Sequence, residues 1–371
     1  MRGDHDRVAG EGGYSFHSVR PDAFNYVWDN SIEPVLEVNS GAIVEFTVRD
    51  ASDEQIRADS TSEDVAKLDF DHVNPVSGPV YVRSAQPGDV LAVEIVEFKP
   101  RDWEWTALIP GFGLLANEFP EPWLRISRVE VEQGKVVFAD GIELPYEPFP
   151  GTIDVAPEEP GPHSIVPPSR WGGNMDTKHL RIGTTLYLPV GAEGALFSVG
   201  DTHSAQGDGE VCGTAIETAM DVSLRLSVWR DFRIEAPQYR VPPGALPGAE
   251  GTGYHVSTGV APDLMEATRD AVRTTMEHLG DSHGLSREEA YALCSVAVDL
   301  RIHEVVDAPN WVVERSCPTT SSPEEVTNDQ GSRVGPRAWF TARAALLGGD
   351  RAVDRHHGSG RRHGPQRHAA G

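Results

Sequence analysis

The chain repeats one local pattern, in which two alternating apolar segments flank a short turn that contains glycine. The pattern occurs at residues 34–46, 79–95, 128–138 and 187–201, and a further alternating segment covers residues 221–228. Alternation places every second side chain on one face of a strand, and a glycine-bearing turn between two such runs is typical of a β-hairpin. The sequence therefore predicts a mainly β protein, a sandwich or barrel built from hairpin units.

Helical periodicity is found only late in the chain. Apolar residues recur at helical spacing over residues 263–279, and Gly280 follows as the expected C-terminal stop. Ser286 and Glu289 have the spacing of a capping box, which predicts a second helix that continues to Val298. We therefore expect a smaller α/β part with two helices near the C-terminus.

The two ends of the chain lack both patterns. Residues 1–12 are polar and rich in glycine, so we expect a flexible N-terminus. Residues 317–371 are rich in arginine and histidine and show no strand periodicity, which predicts a disordered tail. A catalytic domain over residues 13–316 remains, with a hairpin-rich part at 13–235 and a helix-containing part at 236–316.

Charge and cysteine content exclude several classes of protein. The 57 acidic residues exceed the 32 basic ones and leave a net charge of -25, which argues against a nucleic-acid partner because phosphate binding needs a basic surface. No apolar run is long enough to span a membrane, and the N-terminus lacks the apolar core of a secretory signal. The cysteines Cys212, Cys294 and Cys317 form no zinc or disulfide pattern, so we expect a cytoplasmic protein.

Two glycine-rich segments carry carboxylates and histidine at short spacing. Asp176 ends the sequence Gly-Gly-Asn-Met-Asp, and Asp201 and His203 lie two apart in Gly-Asp-Thr-His. Residues two apart on a strand share a face, where a carboxylate and an imidazole can bind one divalent metal ion. The alternative is a turn whose aspartate accepts backbone hydrogen bonds. More polar residues follow within the same segment: Gln206, Asp208, Glu210 and Glu217.

Together with His72, these segments resemble the acetamidase/formamidase family. The resemblance extends over about residues 14–313 and is carried by the segments at 72–82 (HVNPVSGPVYV), 86–91 (QPGDVL), 150–153 (PGTI), 172–176 (GGNMD), 188–190 (LPV), 200–217 and 307–313 (DAPNWVV). It implies a cytoplasmic, homo-oligomeric hydrolase of small aliphatic amides with a β-sandwich-like fold. Its substrate would be a small amide, with neither nucleic acid nor membrane as a partner.

Hydrolysis of so small a substrate needs a polarised carbonyl group and an activated water molecule, and a divalent ion provides both. Histidine and carboxylate ligands suit zinc. We assign the residues by type, with His163 and Asp208 in reserve: metal ligands His72, Asp176, Asp201 and His203, general base Glu217, and oxyanion donor Asn174.

Two other hypotheses stay open at this point. One is an amidase with a nucleophile, either Cys212 or Ser204 paired with His203, although the chain lacks a Gly-x-Ser-x-Gly elbow. The other is a non-enzymatic β-sandwich that binds metal or carbohydrate, which would place the aspartates and histidines on a shallow surface.

Overall fold

A computed structural model describes residues 7–8, 15–230, 233–245 and 252–320. In chain order its strands are Arg7–Val8 (β1), Ser15–Ser18 (β2), Phe24–Asn25 (β3), Val27–Trp28 (β4), Leu36–Asn39 (β5), Ala42–Val48 (β6), Val76–Arg83 (β7), Val90–Pro100 (β8), Glu104–Leu108 (β9), Trp123–Glu130 (β10), Lys135–Ala139 (β11), Ile142–Pro145 (β12), Phe149–Val155 (β13), His163–Ser164 (β14), Gly172–Asn174 (β15), Thr185–Pro189 (β16), Phe197–His203 (β17), Glu217–Thr218 (β18), Met220–Trp229 (β19), Gln238–Val241 (β20), Thr252–Ala261 (β21), Asp299–Glu304 (β22) and Trp311–Thr320 (β23). The helices are Ser62–Val65 (α1), Leu264–His283 (α2) and Arg287–Ala297 (α3), with 3₁₀ turns at Phe70–His72 and Val131–Gln133. The mainly β class is confirmed.

The strands form two large sheets. The first has the order β1-β2-β6-β19-β8-β16-β20-β21-β23-β22. The second has the order β12-β11-β10-β9-β18-β17-β13-β15, and β7 joins it by pairing with β17, β3 and β5. A small third sheet pairs β14 with β4. The long C-terminal strands thus extend the first sheet, while the strands that carry the predicted site residues belong to the second.

Three of the four predicted hairpins are instead corners between the two sheets. The predicted strands exist, but β5 and β6, β7 and β8, and β16 and β17 each divide between the second and the first sheet. Only β10 and β11 pair directly, with Arg128 opposite Val137. Alternation specifies which face of a strand is buried, but it does not specify the neighbouring strand, so the pairing within three units was predicted wrongly.

The main core lies between the two sheets. Phe46 of β6 meets Phe197 of β17 edge to face, with ring centroids 5.6 Å apart. Both rings are fully buried, as are Leu91 of β8 and Ile153 of β13. Since these residues come from opposite sheets, the sheets pack face to face as a β-sandwich.

The C-terminal part carries the two predicted helices. Helix α3 begins with the predicted capping box, in which the Ser286 and Glu289 side chains bond to each other's backbone. Helix α2 continues one turn beyond Gly280 and ends at Gly284, which has the left-handed φ of 66°. Gly280 therefore lies inside the helix. Its carbonyl accepts the Gly284 N–H, and Gly284 is the residue that stops the helix.

The last described strand continues beyond the predicted domain boundary. Residues 317–320 were assigned to the tail, but they belong to β23 and pair with β21, and Cys317 is buried. Residues 7–8, assigned to the flexible N-terminus, pair with β2. Residues 321–371 lie outside the described part of the chain. Among the described residues, no helix has the length and apolar character that crossing a membrane requires.

Candidate active site

Five buried side chains converge at one end of the second sheet. Asp201 and His203 come from β17 and Glu217 from β18, while Asp176 follows β15 and Glu210 lies in the loop after β17. Their donor atoms form two groups tight enough to hold a metal ion, Asp201–His203–Glu217 and Asp176–His203–Glu210. The structure thus brings together three of the four predicted ligands and the predicted base, and His203 joins the two groups.

The two ring nitrogens of His203 face different partners. Nε2 lies 3.1 Å from Asp201 Oδ1 and 3.1 Å from Glu217 Oε2. A single N–H cannot be directed at both oxygens, and Glu217 Oε2 has no hydrogen bond within the described residues. Nδ1 lies 3.0 Å from Gln206 Oε1, and Gln206 Nε2 donates to the Asp176 carbonyl at 2.9 Å. Because the Gln206 amide is oriented by that carbonyl, its Oε1 accepts a hydrogen bond from His203 Nδ1, and Nε2 faces the carboxylates.

Gly151 on β13 leaves the space in which these donors meet. A Cβ atom at this position would lie 2.6 Å from Asp176 Oδ1, 2.8 Å from His203 Cε1 and 2.9 Å from Asp201 Oδ2. The Gly151 carbonyl also accepts the backbone N–H groups of Met175 and Asp176. A side chain here would therefore separate the donors, so the glycine is required by the close approach.

Backbone strain accompanies the cluster. Asp176, Asp201 and Glu210 have φ values of 45°, 50° and 43°, in the left-handed region that residues with a Cβ rarely adopt. Such conformations cost about 1–3 kcal/mol each and concentrate at functional sites. Here three carboxylates of the same cluster have them, which indicates that the fold holds these side chains in place at the expense of local stability.

The cluster holds more acidic groups than its one imidazole can balance. Burial raises the pKa of Asp176, raises that of Glu210 well above its usual range, and raises that of Glu217 to about 8. Burial also opposes ionisation of Asp201, but the charge of His203 and the hydrogen bonds to the Asp201 carboxylate together outweigh it and lower the Asp201 pKa. Burial alone would lower the pKa of His203, whereas Glu217 and Asp201 raise it well above its ordinary value. A bound cation would relieve this crowding of like charges.

A second layer of acidic residues comes from the C-terminal part of the chain. Asn174 is buried, and its Nδ2 donates to Asp307 Oδ2 at 2.8 Å. Asp307 lies beside Asp176, whose two carboxylate oxygens have no donor among the described residues. Glu304 Oε2 accepts the Asp307 N–H at 3.0 Å, and burial raises the Glu304 pKa to about 7.

Sequence reasoning did not place Glu210, Glu304 and Asp307 in or next to this cluster. Glu210 was visible only as one of several acids after His203. Asp307 lies within the 307–313 segment, one of those that carry the family resemblance. Nothing in its local pattern shows that its side chain would contact Asn174, more than a hundred positions away.

His72 is the predicted ligand that the structure does not bring to the cluster. It ends the 3₁₀ turn Phe70–His72, its side chain is 56% exposed, and its Nδ1 lies 2.8 Å from Asp69 Oδ2. Its ring packs edge to face on Tyr26. An exposed imidazole paired with its own turn is a surface residue, so the assignment of His72 as a ligand is corrected.

The two reserve residues also lie outside the donor groups. His163 begins the short strand β14, and its Nε2 lies 2.9 Å from the Glu159 carbonyl. Asp208 forms ion pairs with Lys178 at 2.9 Å and with Arg301 at 3.4 Å. Both therefore have partners of their own.

The structure gives no support to the nucleophile hypotheses. Ser204 is fully buried and donates its hydroxyl proton to Glu104, while both nitrogens of His203 face other groups. Cys212 Sγ contacts Thr214, and within the described residues no base is bonded to it. The donors of the cluster are also buried, unlike the shallow surface that a carbohydrate-binding sandwich would present.

Comparison with known proteins agrees with this arrangement. The model of the Acetamidase/Formamidase family matches residues 17–165 and 161–321. The chain belongs to this family. It is 25% identical over 370 residues to a putative formamidase of Schizosaccharomyces pombe, covering 81% of this chain and 88% of the relative. It is 25% identical over 368 residues to the formamidase of Methylophilus methylotrophus, with the same two coverages. The crystal structure of an acetamidase from Bacillus halodurans superposes with a TM-score of 0.74 at 30% identity, covering 81% of this chain and 97% of that chain.

Proposed function

We propose that this member of the Acetamidase/Formamidase family hydrolyses short linear amides such as formamide and acetamide, and that it does so at the cluster around His203 with a divalent metal ion. The single observation that carries the metal proposal is the convergence of two pairs of carboxylates on one buried imidazole, that of His203. The similarity to a formamidase and an acetamidase supports the amide substrate.

The residues present fit a metal ion. Asp201 and His203 offer an oxygen and a nitrogen 3.1 Å apart, and both oxygens of Asp176 lack hydrogen-bond donors within the described residues. Gly151 provides the space at which three of these side chains meet. A mixed set of imidazole and carboxylate ligands favours zinc over magnesium or calcium, which prefer oxygen alone.

A bound divalent ion would polarise the substrate carbonyl and lower the pKa of water. The residues of the chain then have separate tasks. Glu217 accepts the proton of the attacking water at Oε2 and delivers it to the leaving nitrogen, a role that suits a carboxyl group whose pKa lies near neutrality. Asn174 donates one N–H to Asp307, and its second N–H is the candidate donor to the developing oxyanion.

Burial of the cluster sets the size of the substrate. All five clustered side chains are less than a tenth exposed. A formyl or acetyl amide needs little room, whereas an extended peptide would need an open groove along the sheet. We therefore expect no peptidase activity. The homo-oligomer, the cytoplasmic location and the absence of a nucleic-acid partner stay predictions.

The test compares Asp201→Asn, Glu217→Gln and His72→Gln in the full chain. We expect Asp201→Asn to lose the zinc bound at the cluster around His203, which lowers the total zinc content by one equivalent, and to lose activity. We expect Glu217→Gln to lower ammonia release from formamide by about 10²–10⁴-fold, because it removes the proton carrier. The control His72→Gln removes an exposed imidazole and should change neither zinc content nor rate. Absence of ammonia release from both amides by the zinc-loaded wild type would overturn the proposed reaction, and unchanged zinc in Asp201→Asn would overturn the ligand assignment.

A further inference from the structure

A second group of donor side chains lies outside the carboxylate cluster. It consists of His179 in the loop after Asp176, Tyr239 on β20, His303 on β22 and Glu314 on β23. The side chain of His179 is 10% exposed, and those of His303 and Glu314 are fully buried. Tyr239 is 1% exposed. Four polar side chains from four separate segments thus meet in the interior, and the reaction proposed above uses none of them.

The donor atoms have the spacing of a small coordination shell. His179 Nδ1 lies 3.1 Å from the Tyr239 hydroxyl and 3.4 Å from Glu314 Oε2. His303 Nε2 lies 3.3 Å from the Tyr239 hydroxyl and 2.6 Å from Glu314 Oε2, and the Tyr239 hydroxyl also contacts that oxygen directly. Ligands about 2.0–2.1 Å from a tetrahedral zinc ion lie about 3.3 Å from one another. Three of these five contacts are close to this value, whereas the contacts of Glu314 Oε2 with His303 and with Tyr239 are shorter and would have to lengthen around an ion.

Glu314 is held so that only one of its oxygens faces the group. Oε1 accepts from Ser316 Oγ at 2.8 Å, and Arg301 Nε lies 3.6 Å from the same oxygen. Oε2 is left to face the two imidazoles and the phenol. Partners of this kind, which bind the outer oxygen of a ligating carboxylate, orient ligands in metal sites.

We propose that His179, Tyr239, His303 and Glu314 form a second, structural metal site that takes a zinc-class divalent ion. Two imidazole nitrogens with two oxygens favour zinc over magnesium or calcium. Four protein donors complete a tetrahedron and leave no open position, which is the mark of a structural rather than a catalytic site. The competing interpretation is a buried hydrogen-bond network centred on Glu314.

The site would hold in place two loops that carry residues of the catalytic cluster. His179 lies three residues after Asp176, so a ligand bond at His179 anchors the loop on which Asp176 lies. The His303 carbonyl accepts the N–H of Gly209 at 2.8 Å, and Gly209 directly precedes Glu210. An ion bound to His179 and His303 would tie both loops to the C-terminal strands, a connection that is separate from the amide chemistry.

The two metal sites are distinguished by measuring zinc content and cobalt spectra in full-length variants. Asp201→Asn removes a ligand of the catalytic cluster only, and His303→Gln removes a ligand of the second site only. We expect Asp201→Asn to retain one equivalent of zinc, with the visible absorption of tetrahedral Co²⁺ after exchange, and we expect the double variant to lose both. If the double variant keeps the zinc and the cobalt spectrum of Asp201→Asn, the second site is a hydrogen-bond network and the proposal fails.

Two further variants cover a failure of His303→Gln to fold. Tyr239→Phe keeps the ring and removes one oxygen donor, so zinc binding in the Asp201→Asn background should weaken by at least about tenfold. His278→Gln alters a half-buried histidine outside both groups and should leave the zinc content unchanged. Unchanged zinc affinity in a folded Tyr239→Phe protein would overturn the assignment of the phenol and the four-ligand site with it. The outcome does not depend on amide hydrolysis, because the measured quantity is the zinc that remains without Asp201.

Discussion

Replacing Gly151 with alanine would test the arrangement of the catalytic cluster by changing only the space at its centre. The φ angle of Gly151 lies outside the left-handed region, so alanine can adopt the same backbone conformation. The new Cβ would lie 2.6 Å from Asp176 Oδ1 and 2.9 Å from Asp201 Oδ2. Since ordinary contacts begin near about 3.5 Å, each oxygen must retreat by more than about half an ångström.

Metal coordination tolerates about 0.2 Å of error in ligand distance, so two displaced carboxylates cannot both remain ligands. We expect zinc affinity to fall by about 100-fold, with a similar loss in kcat/KM for formamide. Overpacking should lower the free energy of unfolding by only about 1–3 kcal/mol. The matched control is Gly207→Ala, whose Cβ would meet no atom within 4 Å. Chelator competition measures the zinc affinity, and ammonia release measures the activity. A wild-type zinc affinity in Gly151→Ala would show that the ion does not lie among Asp176, Asp201 and His203.

Two further predictions concern stability. Burial, with His283 nearby, lowers the pKa of His278 from 6.5 to about 4, so the unfolded chain binds a proton between these values that the folded chain does not. The contribution of His278 to the free energy of unfolding should therefore fall by about 1–2 kcal/mol from pH 7 to pH 5. Denaturant titrations of the wild type and His278→Phe should show it as the difference between their changes over this pH range. Truncation after Thr320 keeps β23 and should leave the melting temperature unchanged. Truncation after Arg315 removes the pairing of residues 316–320 with β21 and should lower the melting temperature by more than about 5 °C, and equal values would contradict this role of the strand.

The sequence was most informative where a local pattern coincides with a local structural requirement. Asp201 and His203 could be assigned together because two positions on one strand are neighbours whatever the rest of the fold does. The capping box of Ser286 and Glu289 is likewise complete within four residues, and the structure confirms it. The helix end was wrongly predicted at Gly280, because either glycine near that end could adopt the left-handed conformation and Gly284 does.

Contacts between distant segments could not be predicted in this way. Asp307 reaches Asn174 only because the C-terminal strands return to the site, and no local pattern encodes that return. His72 illustrates the opposite error. Its position in the 72–82 segment, which carries part of the family resemblance, suggested a metal ligand. The 3₁₀ turn instead directs its ring towards Asp69 and the solvent. Sequence spacing can place two ligands on one face of a strand, but whether a third ligand from a distant segment lies beside them depends on the tertiary fold.

The three inter-sheet corners also constrain how the protein can fold. Because the chain changes sheet between β5 and β6, between β7 and β8 and between β16 and β17, neither sheet can be completed from a continuous stretch of sequence. No early portion of the chain forms a self-sufficient half, and most strand pairs join segments that are far apart, which makes folding slow and highly cooperative. Partly folded chains would expose unpaired strand edges, a common route to aggregation. Asp201 and His203 meet Glu217 through the pairing of β17 with β18 within one sheet. Asp307 reaches Asn174 only after the C-terminal part of the chain has packed against the second sheet, so refolded activity should return together with the whole tertiary structure.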